Sequence, residues 1–161
     1  MQLALSTAVL LNDGLRPTPH MGRYFRNEKK DTNLIAPLQR AIEVKNPKNW
    51  QIAKEAMRQT VMLQGGTGFN AFKGISYSAG GKTGTAQVIN MAVNQKYDAN
   101  AIKEVHRDNA MFIGYAPAEN PTILLTVTVE NAGGGGSNAA PIARKMMDYY
   151  FTRQSSAGAQ P

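Results

Sequence analysis

The chemistry-bearing feature of this chain is the run Gly80-Gly81-Lys82-Thr83-Gly84-Thr85-Ala86-Gln87. A Gly-Lys-Thr string invites a phosphate-loop reading, and the spacing argues against it. Such a loop needs a glycine five positions ahead of the Gly-Lys pair, and that position is Ser76. A helix should also begin at the lysine, so that its amide dipoles face the phosphate. Gly84 follows almost at once, and Thr85 to Ile89 favours strand. The run therefore reads as a strand. Thr83 and Thr85, two apart, present hydroxyls on one face, and an exposed strand edge can pair with an extended peptide.

The flanking residues supply the elements that must hold this strand. Residues 1–12 read as helix, ended by Asn12-Asp13-Gly14 and lacking a cap before Met1. Residues 15–46 read as irregular, punctuated by Pro17, Pro19 and Pro37, with a polar surface excursion from Arg23 to Thr32. Asn46-Pro47 offers a cap with proline in the first turn. Trp50, Ala53, Met57 and Val61 then follow at helical spacing over 47–63. Gly65-Gly66-Thr67-Gly68 reads as the helix stop.

Residues 74–90 read as extended, 91–109 as a long polar connection, and 110–116 as a central strand, apolar on both faces. After the turn at Pro117–Pro121, residues 122–130 alternate and complete a hairpin. Gly133 to Gly136 reads as a flexible joint. Asn138 then caps a helix whose inner face carries Ile142, Met146 and Tyr149 or Tyr150, and 154–161 reads as a frayed tail. Consecutive strands without helical crossovers predict an α+β fold, an antiparallel sheet flanked by helices.

Composition bounds the chemistry. The 161 residues suit one domain, and 42% hydrophobic with 18% charged residues can build a core. The absence of cysteine excludes disulfides, cysteine-ligated metal and thiol catalysis. His20 and His106 stand far apart, without a ligand cluster, so no metal or other cofactor is expected. The net charge of +7 is spread along the chain rather than gathered into a recognition motif, and no nucleic-acid partner is expected. No apolar run is long enough for a membrane helix. Asp98, Glu104, Arg107 and Asp108 read as a solvated loop face that could overhang a cleft. Trp50 reads as a core anchor, and Met57, Met62, Met146 and Met147 as core packing.

The Lys82-Thr83-Gly84 triplet resembles the Lys-Thr-Gly element of penicillin-recognising serine enzymes. The likeness reaches further. Ala79 to Gln87 resembles the third-strand motif of class B penicillin-binding proteins, and Phe112-Ile113-Gly114-Tyr115-Ala116-Pro117 their next strand. Val129-Glu130-Asn131 with the glycine run, and Ala139-Ala140-Pro141-Ile142-Ala143, resemble the elongation-type branch. Met1 to Gly14 is similar to a helix that shortly precedes this region. The resemblance covers roughly 1–18 and 47–152, leaving 19–46 as a variable insertion in a transpeptidase segment over 1–153, with 154–161 a flexible tail.

The resemblance implies a penicillin-binding transpeptidase, serine β-lactamase-like fold, of which this chain is the C-terminal portion. It implies cross-linking of cell-wall stem peptides. A serine attacks the penultimate D-Ala carbonyl, and an amine on a neighbouring strand takes the acyl group. Lys82 would assist proton transfer and charge stabilisation. Thr83 and Thr85 would hold the carboxylate of substrate or drug, beside Gly84 and Gln87, and the Thr85 N–H would be half of the oxyanion hole. The implied partners are the D-Ala-D-Ala end of the stem peptide, β-lactam antibiotics, the rest of the same domain and the cell-wall elongation machinery. The implied location is the outer side of a bacterial inner membrane, with the anchor upstream.

The family supplies its nucleophile as Ser-x-x-Lys, with Ser-x-Asn as a second element. Neither occurs at Ser6, Ser76, Ser78, Ser137, Ser155 or Ser156. The expectation is a piece of a larger domain, inactive alone. A β-lactamase or D,D-carboxypeptidase relative, and a non-enzymatic binding module on the same fold, are the competing readings.

Overall fold

A computed structural model describes residues 1–22, 24–26, 32–34, 40–89 and 102–157. The chain forms two compact units, Met1–Ala53 and Lys54–Pro161.

In the first unit, helix α1 (Gln2–Leu11) ends where Asp13 and Gly14 take φ of 51° and 95°. Glycine is required at 14 for a second reason. A Cβ there would stand 2.4 Å from the Ile42 carbonyl oxygen and 3.2 Å from the Trp50 ring. Strand β1 (Leu15–Arg16) pairs antiparallel with β4 (Arg40–Ala41), and β2 (Tyr24–Arg26) with β3 (Thr32–Leu34). The expectation of irregular chain over 15–46 is thus corrected in part. Ladders of two or three residues are too short to display an alternating pattern, and the prolines dominate the signal. The remainder of the Arg23–Thr32 excursion lies outside the described residues.

Helix α2 (Lys48–Met62) opens as expected, with the Asn46 side-chain oxygen accepting the Lys48 N–H at 3.1 Å. Its apolar row runs from the partly buried Trp50, Ala53 and Met57 to Val61, which is fully buried in the second unit.

The second unit continues through α3 (Phe69–Phe72) to β5 (Gly80–Ala86), β6 (Asn109–Ala116) and β7 (Ile123–Val129), an antiparallel sheet in that order. The chain closes with a π-turn (Gly135–Ala139) and helix α4 (Ala140–Ala157). Strand character begins only at Gly80, so the extended reading of 74–90 was too long. Ile75 and Tyr77 pack beside the core from a bend instead of joining a ladder, and Gly74 at φ 80° starts that bend. Of the connection 91–109, residues 104–106 form a 3-10 turn, while Asp98 lies outside the described residues.

The core lies between the sheet and α4. Ala110, Phe112 and Gly114 alternate inward along β6. Phe72 stacks on Phe112 with ring centroids 5.4 Å apart. Burying a side chain like Phe112 contributes about 1.5–3 kcal/mol. The inner face of α4 corrects the sequence reading. Ala140, Ala143 and Met147 are fully buried, while Ile142, Met146 and Tyr149 are 42%, 50% and 61% exposed. Small residues set this face because the helix lies close to the sheet. A Cβ on Gly114 would come within 3.1 Å of Met147 Cε. The helix also runs four residues beyond 153, where the sequence reading ended it.

Candidate active-site wall

Strand β5 pairs with β6 along one edge, in the register Lys82↔Ile113, Thr83↔Phe112, Gly84↔Met111 and Thr85↔Ala110. Among the described residues no strand occupies its other edge. The pleat places Thr83 and Thr85 on the face shared with Phe112 and Ala110, and Lys82 and Gly84 on the opposite face. Lys82 is exposed, and its ammonium folds back to donate to the Thr83 carbonyl at 2.6 Å. Thr85 is exposed at the strand end, and Gln87 just beyond it. Along this strand Lys82, Thr85 and Gln87 are thus exposed, and Thr83 and Gly84 partly so.

Two glycine-rich turns close around this strand. In the first, Gly65 takes φ 92° and the chain doubles back over the end of α2, with the Gly68 N–H donating to the Thr60 carbonyl at 3.0 Å. That path places the Thr67 hydroxyl 2.7 Å from the Thr83 hydroxyl. In the second, Gly135 lies so close to the strands that a Cβ would stand 2.2 Å from the Met111 carbonyl oxygen and 2.3 Å from that of Gly84. A Cβ on Gly136 would stand 2.5 Å from the Thr67 carbonyl oxygen and 3.6 Å from the Thr83 methyl. The flexible joint expected at Gly133–Gly136 is instead a packed turn. Asn138 does not cap α4. Its side-chain NH2 donates to the carbonyls of Ala132 and Gly134, at 2.7 and 3.3 Å. Sequence reading missed Thr67 and Gly135; the two four-residue glycine-rich runs were the available signal.

Neighbouring bonds hold both ends of the sheet. Asn131, at φ 54°, donates its side-chain NH2 to the carbonyls of Val105 and Arg107, each at 3.1 Å. Asp108, expected on a solvated face, is buried, and its carbonyl accepts the Gly133 N–H at 2.7 Å. The correction has a plain cause: Asp108 enters β6 directly, beneath the glycine turn. At the other end the Ser78 hydroxyl donates to the Glu119 carboxylate and accepts the Ala118 N–H. That hydroxyl, followed by the residue's own backbone N–H, lowers the Glu119 pKa.

Burial, and then donation to Asp148 at 2.7 Å, raise the pKa of Tyr77. Arg144 joins the same cluster, donating to Asp148 and to the carbonyls of Ala71 and Lys73. Burial likewise raises the Tyr115 pKa, and its hydroxyl donates to the Lys54 carbonyl at 3.2 Å. Among the described residues no group of three or more acidic or histidine side chains could hold a metal. His20 Nδ1 instead lies 2.6 Å from the Gly22 carbonyl.

This arrangement offers a lysine ammonium, two hydroxyls and a main-chain edge that no strand among the described residues occupies, a combination suited to holding an anionic, extended substrate. Comparison with known proteins gives it a family. The penicillin binding protein transpeptidase domain matches residues 1–148. The peptidoglycan D,D-transpeptidase MrdA of Haemophilus influenzae is 40% identical over 96% of this chain, and that of Acinetobacter baumannii 34% over 100%. The chain spans about a quarter of the length of these curated relatives, 24% and 23% respectively. The crystal structure of Pseudomonas aeruginosa PBP2 in complex with WCK 5153 is similar at a TM-score of 0.70 and 33% identity, over 92% of this chain and 29% of that one. The Lys82 strand thus sits within a fold shared along most of the chain, and the protein belongs to the penicillin-binding protein transpeptidase-domain family.

Proposed function

We propose that this chain supplies one wall of the active site of a peptidoglycan D,D-transpeptidase that cross-links stem peptides during cell-wall elongation. The observation that carries the reading is the open β5 edge, where Lys82, Thr83, Gly84 and Thr85 lie together above a packed core. In the proposed reaction, a serine elsewhere in the full-length enzyme attacks the penultimate D-Ala carbonyl. The terminal D-Ala leaves, and the acyl group passes to an amine on a neighbouring strand.

Each wall residue then has a role. The Lys82 ammonium favours developing negative charge and assists proton transfer. The hydroxyls of Thr83 and Thr85 receive the substrate carboxylate, and Gln87 extends that contact. The Thr85 N–H provides half of the oxyanion hole. Gly84 keeps the strand open to the peptide backbone. β-Lactams would enter as mimics of the D-Ala-D-Ala end and be held by the same groups. The remaining partners in this reading are the rest of the transpeptidase domain and the elongation machinery, on the outer side of the inner membrane, with the anchor in an upstream segment.

The test uses full-length enzyme carrying these residues and a fluorescent penicillin. Lys82→Ala should lower the acylation rate by about 10²–10⁴-fold, the usual loss for a proton-transfer group. An unchanged rate overturns the assignment. The 161-residue chain alone, which lacks Ser-x-x-Lys and Ser-x-Asn, should take no label.

A further inference from the structure

We infer that Thr67 is a positioning residue for carboxylate recognition, acting through the hydroxyl of Thr83; the inference rests on the transpeptidase reading above. The two hydroxyl oxygens are 2.7 Å apart, although the residues stand sixteen positions apart in sequence. Each hydroxyl carries one proton. In a bonded pair one proton is spent within the pair, and one remains for a ligand.

An ionised carboxylate only accepts hydrogen bonds. Its arrival therefore orients the pair as Thr67 O–H to Thr83, and Thr83 O–H to the carboxylate. A hydroxyl that accepts one bond while donating another is polarised, and it donates more strongly. Without Thr67 the Thr83 rotor must be fixed by the ligand itself.

The surroundings hold Thr67 for this task. A Cβ on Gly66 would stand 2.3 Å from the Thr60 carbonyl oxygen, and Gly68 is hydrogen-bonded to that same carbonyl. On the other side Gly136 lies against the Thr67 carbonyl and near the Thr83 methyl. The turn is clamped from both sides, while the Thr67 side chain stays exposed. A helix stop needs Gly65 at positive φ. It does not need a threonine hydroxyl two residues later at a substrate-facing strand.

The test measures acylation of the full-length enzyme by benzylpenicillin and by its neutral methyl ester, with thermal stability read in parallel. Thr67→Val should slow acylation by the carboxylate form about tenfold and leave the ester rate within about twofold. Thr67→Ser should restore the carboxylate rate. In a double-mutant cycle, Thr67→Val should add little once Thr83→Val is present. An equal loss for acid and ester overturns the inference by reducing Thr67 to a structural residue, as does full additivity. Both outcomes leave the transpeptidase reading standing. No effect of Thr83→Val on either compound would instead overturn the role given to the Lys-Thr-Gly strand, and with it this inference.

Discussion

Glycines, more than charged groups, decide how closely the chain can pack around β5. At Gly135 the atoms a Cβ would meet are the Met111 and Gly84 carbonyl oxygens, at 2.2 and 2.3 Å. Both belong to backbone inside a ladder, so neither can swing aside as a side-chain tip would. Gly135→Ala should therefore lift the turn from the sheet and cost about 1–3 kcal/mol. Gly134 is the internal control. It has φ −73°, and its Cβ would meet only the Ser137 hydroxyl, at 3.1 Å. Gly134→Ala should change stability by less than about 0.5 kcal/mol. Thermal denaturation of the two variants compares them directly, and equal losses would refute the close approach at 135. The site was legible here only in part. Lys82 to Thr85 announce themselves because strand, spacing and residue types fall within one short run. Thr67 does not, because its meaning depends on a turn that returns the chain to a strand sixteen residues later.

Element by element, periodic patterns were the most legible and register the least. The row Trp50, Ala53, Met57, Val61 marks α2, and the alternation of Ile123, Leu125, Val127 and Val129 marks β7; both elements stand as read. The buried side of α4 was misread because the largest apolar residues pointed to it. Burial follows the closest approach, which the alanines allow, with Met147 fully buried beside them and Phe151 partly buried against the same core. The two adjacent methionines separate these views. Met147, fully buried and against Gly114, should cost about 2–5 kcal/mol when replaced by alanine. Met146, half exposed, should cost less than about 1 kcal/mol. Chemical denaturation midpoints of Met147→Ala and Met146→Ala measure both. A reversed order would restore the Ile142–Met146–Tyr149 face as the inner one. The short ladders of the first unit were invisible to the sequence because pairs such as Arg16↔Arg40 rest on backbone bonding, with no repeating side-chain pattern.

At the scale of the whole molecule, 18 basic residues face 11 acidic ones, so the folded chain already works against its own positive charge at neutral pH. Acidification removes the compensating carboxylates. Two of them resist in the folded state. Hydrogen bonds from Arg58, and then Gln59, hold Glu55 at about 2, below its ordinary 4.5. The Ser78 hydroxyl lowers Glu119. A carboxyl with a depressed folded-state pKa binds its proton more readily in the unfolded chain. Its contribution is complete above the unfolded value and is lost as pH falls through the folded one. Stability should thus be level between about pH 5 and pH 9 and decline progressively between about 4.5 and 2. Both side chains are open to solvent, so each contribution is small, and the growing net charge adds to the fall. The two causes separate by salt. Raising ionic strength screens repulsion between distant like charges, so it should move the acid midpoint to lower pH, whereas Glu119→Gln should flatten the slope at either salt. Circular dichroism melts across this pH range, at low and moderate salt, provide the measurement. A melting temperature that is constant from pH 5 to pH 2.5 would contradict both the carboxylate shifts and the repulsion that accompanies them.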